Sequence, residues 1–173
     1  MSSHPAPDAE RLLTFEAGAT VYALPIAEIH EVAEVERICC VPTLPRDAVG
    51  VVNWHGDALP VVAPSLLFGD VSEAAAESED DEEAIDVGSA EVPASAAVLA
   101  VEHVLVVSAR DDGSAQLGVP IDRVIGLVDG PRNLRGGRKL VVERRPVDGR
   151  VVNVLCPRRL VARANEVIER EVG

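Results

Sequence analysis

Short runs in which apolar and polar residues alternate fill most of the 173-residue chain and predict a protein built mainly of β-strands. Valine dominates these runs, and its branched β-carbon favours extended backbone. The predicted strands are bounded by turn residues and cover 11–16, 20–24, 29–37, 49–54, 58–62, 98–109, 116–119, 139–144 and 150–155.

Two hairpin turns and a helical turn connect these strands. His55-Gly56-Asp57 and Asp148-Gly149 each separate two predicted strands, and both contain residues that tight hairpin turns favour. Pro64 should begin a helical turn over 65–68, because proline suits the first turn of a helix, and Gly69 should end it.

The last segment of the chain has a helical pattern. Pro157 stands where a helix could begin. The apolar residues after it recur at helical spacing, at Leu160, Val161, Ala164, Val167 and Ile168. This pattern predicts an amphipathic C-terminal helix with one apolar face.

The chain also repeats itself once. Three motifs of the first half recur in the same order in the second half: 25–32 as 120–127, 56–62 as 149–155, and 64–67 as 157–160. The offsets are 95, 93 and 93 positions. Biased composition could produce one such match, but three in order at nearly one offset favour a duplicated unit. We therefore predict two strand-rich halves, about 10–69 plus C-terminal elements and about 98–156.

The net charge of −13 comes mainly from one segment. Ten acidic residues and no basic residue lie in 70–91, and the other 19 acidic residues nearly balance the 16 basic ones. The stretch 70–97 has few large apolar side chains, so burial would not offset the entropy lost on ordering it. We predict that 70–97 is a disordered acidic insertion and 1–9 a disordered tail of one domain over 10–170.

Several kinds of protein find no support in the sequence. No apolar run approaches the roughly 20 residues of a membrane-spanning helix, and the N-terminus lacks the features of a secretion signal. We therefore expect a cytoplasmic protein without membrane insertion. The four histidines show no metal-ligand spacing, catalytic motifs are absent, and Cys39, Cys40 and Cys156 suit buried reduced thiols better than a zinc site. We expect no enzyme, no metal and no other cofactor.

The C-terminal third is basic, which raises nucleic-acid binding as an alternative of another class. Ten basic residues in 132–163 stand against Glu143 and Asp148. Arginines could follow the phosphates of a nucleic acid or another polyanion. However, no aromatic residues are interleaved with them for base stacking. The pattern therefore disfavours nucleic acid as the partner and keeps it as an alternative.

Four segments together carry a resemblance to a known family: 15–26, 41–45, 49–62 and 117–124. Segment 49–62, VGVVNWHGDALPVV, is similar to the signature Gly-Val-x-Asn-Leu-Arg-Gly-x-x-x-Pro-Val-Val-Asp of CheW-like domains, the coupling proteins of bacterial chemotaxis. The resemblance covers about residues 11–170, with the acidic stretch as an insertion. It implies a mainly β fold of two intertwined five-stranded SH3-like barrels, with short helices and a C-terminal helix.

The resemblance also implies a function. Family members are non-enzymatic adaptors that join the cytoplasmic tip of a chemoreceptor to the regulatory domain of a CheA-type histidine kinase in a two-component pathway. The positions that match the family's receptor-contact motif lie in a groove between the halves, and they are Ile29, Glu31, Gly50, Asn53, His55 and Gly56. Glycine at two of them would let a receptor helix approach the backbone closely.

Three signature positions depart from the family pattern. Trp54 replaces a leucine, His55 an arginine and Ala63 an aspartate. Trp54 is the only tryptophan, and it could either anchor a partner or fill a core that is short of aromatic residues. The departures leave a second interpretation open, in which the protein is a divergent scaffold that binds another protein and does not couple the kinase.

Overall fold

The computed structural model describes residues 9–36, 38–40, 49–73, 102–109 and 112–172. Residues 1–8 of the predicted tail, residues 41–48, residues 74–97 of the predicted insertion and residues 98–101 of the next predicted strand lie outside the described residues. The strands are β1 Glu10–Ala17, β2 Thr20–Pro25, β3 Ile29–Glu34, β4 Cys39–Cys40, β5 Val49–Trp54, β6 Asp57–Val62, β7 His103–Val107, β8 Leu117–Ile121, β9 Arg123–Gly130, β10 Val141–Val147 and β11 Arg150–Leu155. The α-helices are α1 Pro64–Glu73 and α2 Pro157–Val172, and short 3-10 helices cover Ile26–Glu28 and Leu134–Gly136.

The strands form two mixed sheets, which confirms the mainly β fold. One sheet has the order β10-β11-β2-β1-β9, and the other has the order β3-β7-β8-β6-β5-β4, in which β4 has only two residues. Each sheet has one parallel pair, β2 with β11 and β6 with β8, while the other neighbours are antiparallel.

Both sheets curl until distant strands meet. In the five-stranded sheet, Arg145 of β10 donates a hydrogen bond to the carbonyl of Asp129 in β9, at the opposite edge, with 2.5 Å between the atoms. In the six-stranded sheet, the indole N–H of Trp54 in β5 donates a hydrogen bond to Glu31 of β3, which also lies far from β5 in the strand order. Each sheet is therefore a small barrel, named here barrel one for the five-stranded sheet and barrel two for the other.

The two repeats exchange strands, which confirms the predicted intertwining. Barrel one combines β1 and β2 of the first repeat with β9, β10 and β11 of the second. Barrel two combines β7 and β8 of the second repeat with β3, β4, β5 and β6 of the first. Each barrel therefore contains strands from both sequence halves. Local patterns locate strands but do not report which distant strands pair.

Matching hairpins at equivalent places support the duplication. In the β5–β6 turn, His55 and Gly56 have φ values of +50° and +94°, and in the β10–β11 turn, Asp148 and Gly149 have +49° and +77°. Positive φ at both central residues is the mark of the two-residue turn that fits twisted strands. Both predicted hairpins are confirmed, and each is followed by a helix that begins at a proline.

Three elements differ from their predictions, and the first is the two-residue strand β4, which was not predicted. Strand β9 was not predicted, although its repeat equivalent is β3. Helix α1 continues through Gly69 to Glu73, so the first four residues of the predicted insertion are helical. Glycine within a helix costs only about 1 kcal/mol relative to alanine. Burial of Leu67 and Phe68 on the same helix is enough to outweigh that cost.

Three buried clusters hold the fold together. Barrel one encloses a small aliphatic cluster around Leu12 and Val154, and barrel two encloses another around Val61 and Val106. The largest cluster lies between the barrels and the two helices. It contains three of the chain's four aromatic residues, since Tyr22 stacks on Phe68 with 4.1 Å between ring centroids and lies 5.9 Å from Phe15.

The cysteines only partly follow the prediction of buried thiols. Cys156 is buried and reduced, whereas Cys39 is exposed at the edge strand β4. The side chain of Cys40 lies outside the described residues.

The repeat makes Val61 and Val154 equivalent, and both are fully buried, each inside its own barrel. Valine-to-alanine substitution at either position should lower the free energy of unfolding by about 1–3 kcal/mol, from lost burial and a small cavity. Chemical denaturation of both variants checks this. A neutral substitution at one of the two positions would show that the repeat alignment is wrong there.

Candidate functional site

Several of the predicted contact positions lie close together on the surface, around one carboxylate oxygen, Oε1 of Glu31. Trp54 donates its indole N–H to Glu31 Oε1, with 2.5 Å between the heavy atoms. His55 Nε2 lies 3.4 Å from the same oxygen. Both side chains of this second pair are largely exposed, at 68% for His55 and 42% for Glu31. The closure of barrel two therefore places an anion, an indole and an imidazole side by side on the surface.

The aromatic rings pack against one another. The His55 ring meets the Trp54 ring edge-on, with 4.7 Å between centroids and 78° between planes. On β3, the His30 ring lies 5.3 Å from the indole. Trp54 is half-buried and packs on the cluster inside barrel two, so it both closes the barrel and shows part of its ring. Glu31, Trp54, His55 and His30 are called the Trp54 cluster below.

The hairpin turn fixes where His55 sits. The Asn53 side-chain oxygen accepts a hydrogen bond from the backbone N–H of Gly56, at 2.9 Å. Gly56 has φ +94° and open space around its α-carbon, so glycine is needed there for its backbone conformation. Of the predicted contact positions, Asn53 and Gly56 thus shape the turn that presents His55.

The structure places the other two predicted contact positions elsewhere. Ile29 is half-buried and packs on the cluster between the barrels. Gly50 is buried at the far end of β5, where an added Cβ would overlap the Ile38 side chain and lie 3.2 Å from the Cys39 carbonyl. The close approach that glycine permits there is therefore made by the chain's own Ile38. The approach of a partner helix at Gly50 stays a prediction.

A small cavity of about 260 Å³ adjoins Trp54 at the end of barrel two. Val52 and Val104 contribute apolar walls, and Glu34 and Glu36 contribute carboxylates. The surroundings of the Trp54 cluster are therefore partly apolar and partly acidic.

A buried ion pair was missed in the sequence. From the sequence alone, Glu28 resembles a surface carboxylate. In the structure it is only 3% exposed, and it forms an ion pair with Arg135. Its second oxygen, Oε2, has no hydrogen-bond partner among the described residues. Burial, together with the charge of Glu28, raises the pKa of the neighbouring Glu10, and Arg135 partly offsets this. The sequence shows only a carboxylate three residues after the end of β2, and nothing in the pattern marks it as buried.

Arginines of the basic C-terminal third contact groups of the chain itself. Arg150 reaches Glu16, Arg144 donates to Asn153, and Arg159 donates to the Gly137 carbonyl. These contacts occupy donors that a phosphate backbone would need, and they do not favour the nucleic-acid alternative.

The family model of the CheW-like domain matches residues 11–165. The chain belongs to the CheW-like domain family. Among solved structures, the scaffolding protein TtCheW from Thermoanaerobacter tengcongensis is similar, with 17% sequence identity and a TM-score of 0.53, over 85% of this chain and 88% of that one. At this identity the likeness supports the fold alone, and no curated protein matches.

Part of the Trp54 cluster lies within the signature of the CheW-like family. The family signature runs through β5, the hairpin turn and β6, so Trp54 and His55 occupy signature positions at the turn. No helix in the described part of the chain is long and apolar enough to cross a membrane. Nor do the described residues include a group of three or more potential metal ligands.

Gly50 should be required for packing. Gly50→Ala would force Ile38 and the adjoining strand β4 to shift, and we expect a loss of about 1–3 kcal/mol in the free energy of unfolding. Gly69→Ala is the matched control, because an added Cβ there meets nothing and alanine favours a helix. Thermal unfolding of both variants checks this. Equal stability of Gly50→Ala and the native chain would contradict it.

The Glu16 carboxylate should stabilise barrel one in a pH-dependent way. Its hydrogen bond with Arg123 lowers the pKa of Glu16 below 4.5, and Arg150 adds to this. A lowered folded-state pKa contributes stability above the unfolded pKa, and that stability is lost as the pH falls through the folded value. The melting temperature of the native chain should therefore exceed that of Glu16→Gln at neutral pH. The two should converge in acid well below pH 4.5. If the difference in melting temperature between the two proteins stayed constant from neutral pH to acid, the pH-dependent stabilisation would not come from Glu16.

Proposed function

We propose that this protein is a non-enzymatic adaptor that couples a chemoreceptor to a CheA-type histidine kinase in a bacterial chemotaxis pathway. Membership of the CheW-like family supports a scaffold role in chemotaxis. The observation that carries the finer proposal is the Trp54 cluster, where contact positions of the family motif meet on an exposed surface.

The receptor would dock on the Trp54 cluster as a helical tip. Trp54 offers a large apolar face, and aromatic residues of this kind are enriched among the few residues that dominate binding energy. Glu31 could accept hydrogen bonds from the receptor at the rim. Asn53 and Gly56 would act indirectly, because they hold the turn, and Ile29 and Gly50 would support the fold underneath. The regulatory domain of the kinase would bind another face of the same scaffold.

Weak individual contacts would suffice for such an adaptor. Receptors and kinases that bind many copies of one scaffold raise the effective concentration of each contact, so affinity accumulates through the array. A modest exposed site such as the Trp54 cluster is compatible with this mode of action.

One observation favours a second candidate, a divergent scaffold that serves another protein. The signature arginine would bring a permanent charge and a fork of donors. His55 has a shorter side chain, and its Nε2 already faces Glu31 of its own chain. The surface offered to a partner therefore differs in charge and reach from the family pattern.

A binding titration separates the two candidates. A receptor-tip fragment from the same organism is titrated against the native chain and against His55→Arg. If the surface has diverged, the native chain binds weakly and arginine tightens binding by roughly 1–3 kcal/mol, from a new charge-assisted contact. Asp148→Arg, which places arginine at the equivalent turn of barrel one, is the matched control and should leave the affinity unchanged.

Tight native binding that is lost in His55→Arg would instead favour an ordinary coupling protein whose receptor has adapted to histidine. Absence of binding by either form, together with failure to capture the kinase regulatory domain, would refute the coupling function.

A further inference from the structure

Strand β9 lies at an edge of barrel one and exposes large apolar side chains. Val124, Ile125 and Leu127 are 42%, 46% and 46% exposed. None of the three belongs to a buried cluster of the described chain, whereas Val128 of the same strand packs inside barrel one. Single exposed apolar residues are ordinary, but three within four positions of one edge strand form a patch. The packing of the described residues does not account for this patch.

The outer edge of β9 has no strand partner among the described residues. Strand β1 pairs with the inner edge from Arg123 to Gly130 and skips Ile125. On the outer side, barrel one closes through a side chain, because Arg145 donates to the carbonyl of Asp129 near the end of β9. Near the start of β9, a cavity of about 330 Å³ is lined by residues of both β9 and the β10–β11 hairpin. The backbone of β9 between these two points is therefore open to another strand.

The other edge strand of barrel one is protected against such pairing. Strand β10 contains Pro146, which has no N–H to donate, and the charged run 143–145. Proline and charged side chains are common means by which natural sheets prevent pairing at their edges. Strand β9 has neither proline nor lysine, and its only charges stand near its two ends, at Arg123 and Asp129. The contrast favours β9 as an edge that pairs with another strand.

The sequence of β9 fits an antiparallel copy of itself. When two copies cross at Gly126, Arg123 of one copy stands opposite Asp129 of the other, and Ile125 stands opposite Leu127. Opposite charges and large apolar side chains are the cross-strand pairs that stabilise antiparallel strands. A register shifted by one residue in either direction would set Arg123 against an uncharged residue. The sequence therefore specifies one register.

Ion pairs within the chain extend this charge pattern. Arg123 donates to Glu16 of β1 at 2.8 Å, and Arg11 of β1 lies 3.9 Å from Asp129. With a second copy in place, charges would alternate across four neighbouring strands, from Glu16 and Arg123 to the partner's Asp129 and the partner's Arg11. The two-fold axis would create two such rows, one on each side of the apolar pairs. This charge complementarity identifies a second copy of the chain as the occupant of the edge.

Gly126, at the centre of the register, is not required by the described chain. Its φ is not positive, and an added Cβ would meet nothing within 4 Å. Glycine inside a strand often marks a place where another backbone approaches closely. A two-fold axis at this position would set the two glycines opposite each other.

We propose that β9 is a self-association edge, through which two copies of this chain pair antiparallel about a two-fold axis at Gly126. The two barrel-one sheets then join into one continuous sheet. Association requires no receptor, kinase or other ligand.

Sedimentation equilibrium of the full chain tests the dimer. The apparent mass should rise from the monomer value of 18.3 kDa toward twice that value as the concentration is raised from about 1 μM to about 1 mM. The buffer should contain about 0.15 M salt, because each copy carries a net charge of −13 and their repulsion must be screened. A chain that stays monomeric over the whole range would overturn the proposal.

Two charge variants test the register. Arg123→Glu and Asp129→Arg each set like charges opposite each other at both ends of the interface, so each variant alone should dimerise roughly tenfold more weakly than the native chain. An equimolar mixture of the two should associate with nearly native affinity, because every contact between positions 123 and 129 then joins opposite charges. A mixture that associates as weakly as the separate variants would contradict the antiparallel pairing.

The apolar centre has its own variant and control. Leu127→Lys should weaken the dimer by roughly tenfold or more, since an edge lysine opposes strand pairing. Val142→Lys is the matched control, because it makes the same kind of change at a residue of β10 that is 42% exposed, and it should leave the association unchanged. Loss of the dimer in Val142→Lys with retention in Leu127→Lys would place the interface at β10 and reject β9.

Another occupant of the edge would give a different result. A native monomer that dimerises only after the stretch 74–97 is replaced by a Gly-Ser linker would show that this stretch covers β9, and the proposal would be wrong. Should the variants fail to fold, amide hydrogen exchange of the native chain provides the test, because protection of 123–130 should increase with protein concentration. Protection that does not depend on concentration would count against the dimer. These measurements use this chain alone, so failure of the dimer and failure of the proposed function remain distinguishable.

Discussion

Parallel pairing between the repeats is the constraint on which the rest of the structure depends. Val21 of β2 pairs with Val152 of β11, and Val61 of β6 pairs with Gly118 of β8. Each barrel is complete only when strands from both repeats have met, so neither repeat can close a barrel from its own strands. The aromatic trio of Phe15, Tyr22 and Phe68 then fills the space between the two barrels and the helices. Closing loops over such distances costs entropy. Burial of the three aromatic side chains supplies free energy that offsets this cost.

The Trp54 cluster is a product of that closure. Glu31 and Trp54 lie on strands that stand apart in the order of the six-stranded sheet, and they meet only because the sheet curls on itself. Trp54 therefore helps to close barrel two and is also partly exposed at the surface. The two readings that the sequence left open for it, partner anchor and core filler, are compatible because one face of the indole packs inside barrel two and another part of the ring stays accessible.

The sequence predicted what depends on local pattern. Strand alternation located most strands, the turn residues located both hairpins, and helical spacing located α2 correctly. It missed β9, where apolar residues such as Val124 and Ile125 are exposed, so that alternation is lost. It also missed the burial of Glu28 and the packing of Gly50 against Ile38, because both depend on contacts made by other segments. The candidate site was predicted as a list of motif positions, and only the fold shows that four of them share one turn and its facing strand.

The duplicated architecture gives two equivalent barrel ends whose chemistry has diverged. At the hairpin turn, Trp54 of barrel two corresponds to Val147 of barrel one, since each immediately precedes its two-residue turn. Where barrel two has an indole held by Glu31, barrel one has a cavity of about 330 Å³ whose lining includes Val147, Arg123 and Arg150.

The same backbone scaffold thus offers an aromatic and histidine-rich surface at one end and an apolar, arginine-rimmed surface at the other. The proposed adaptor would hold two different partners at once and would need such a difference, because identical ends would bind the same partner twice. Substitution at the tips of equivalent hairpins supplies the difference and leaves the buried pairing between the repeats untouched.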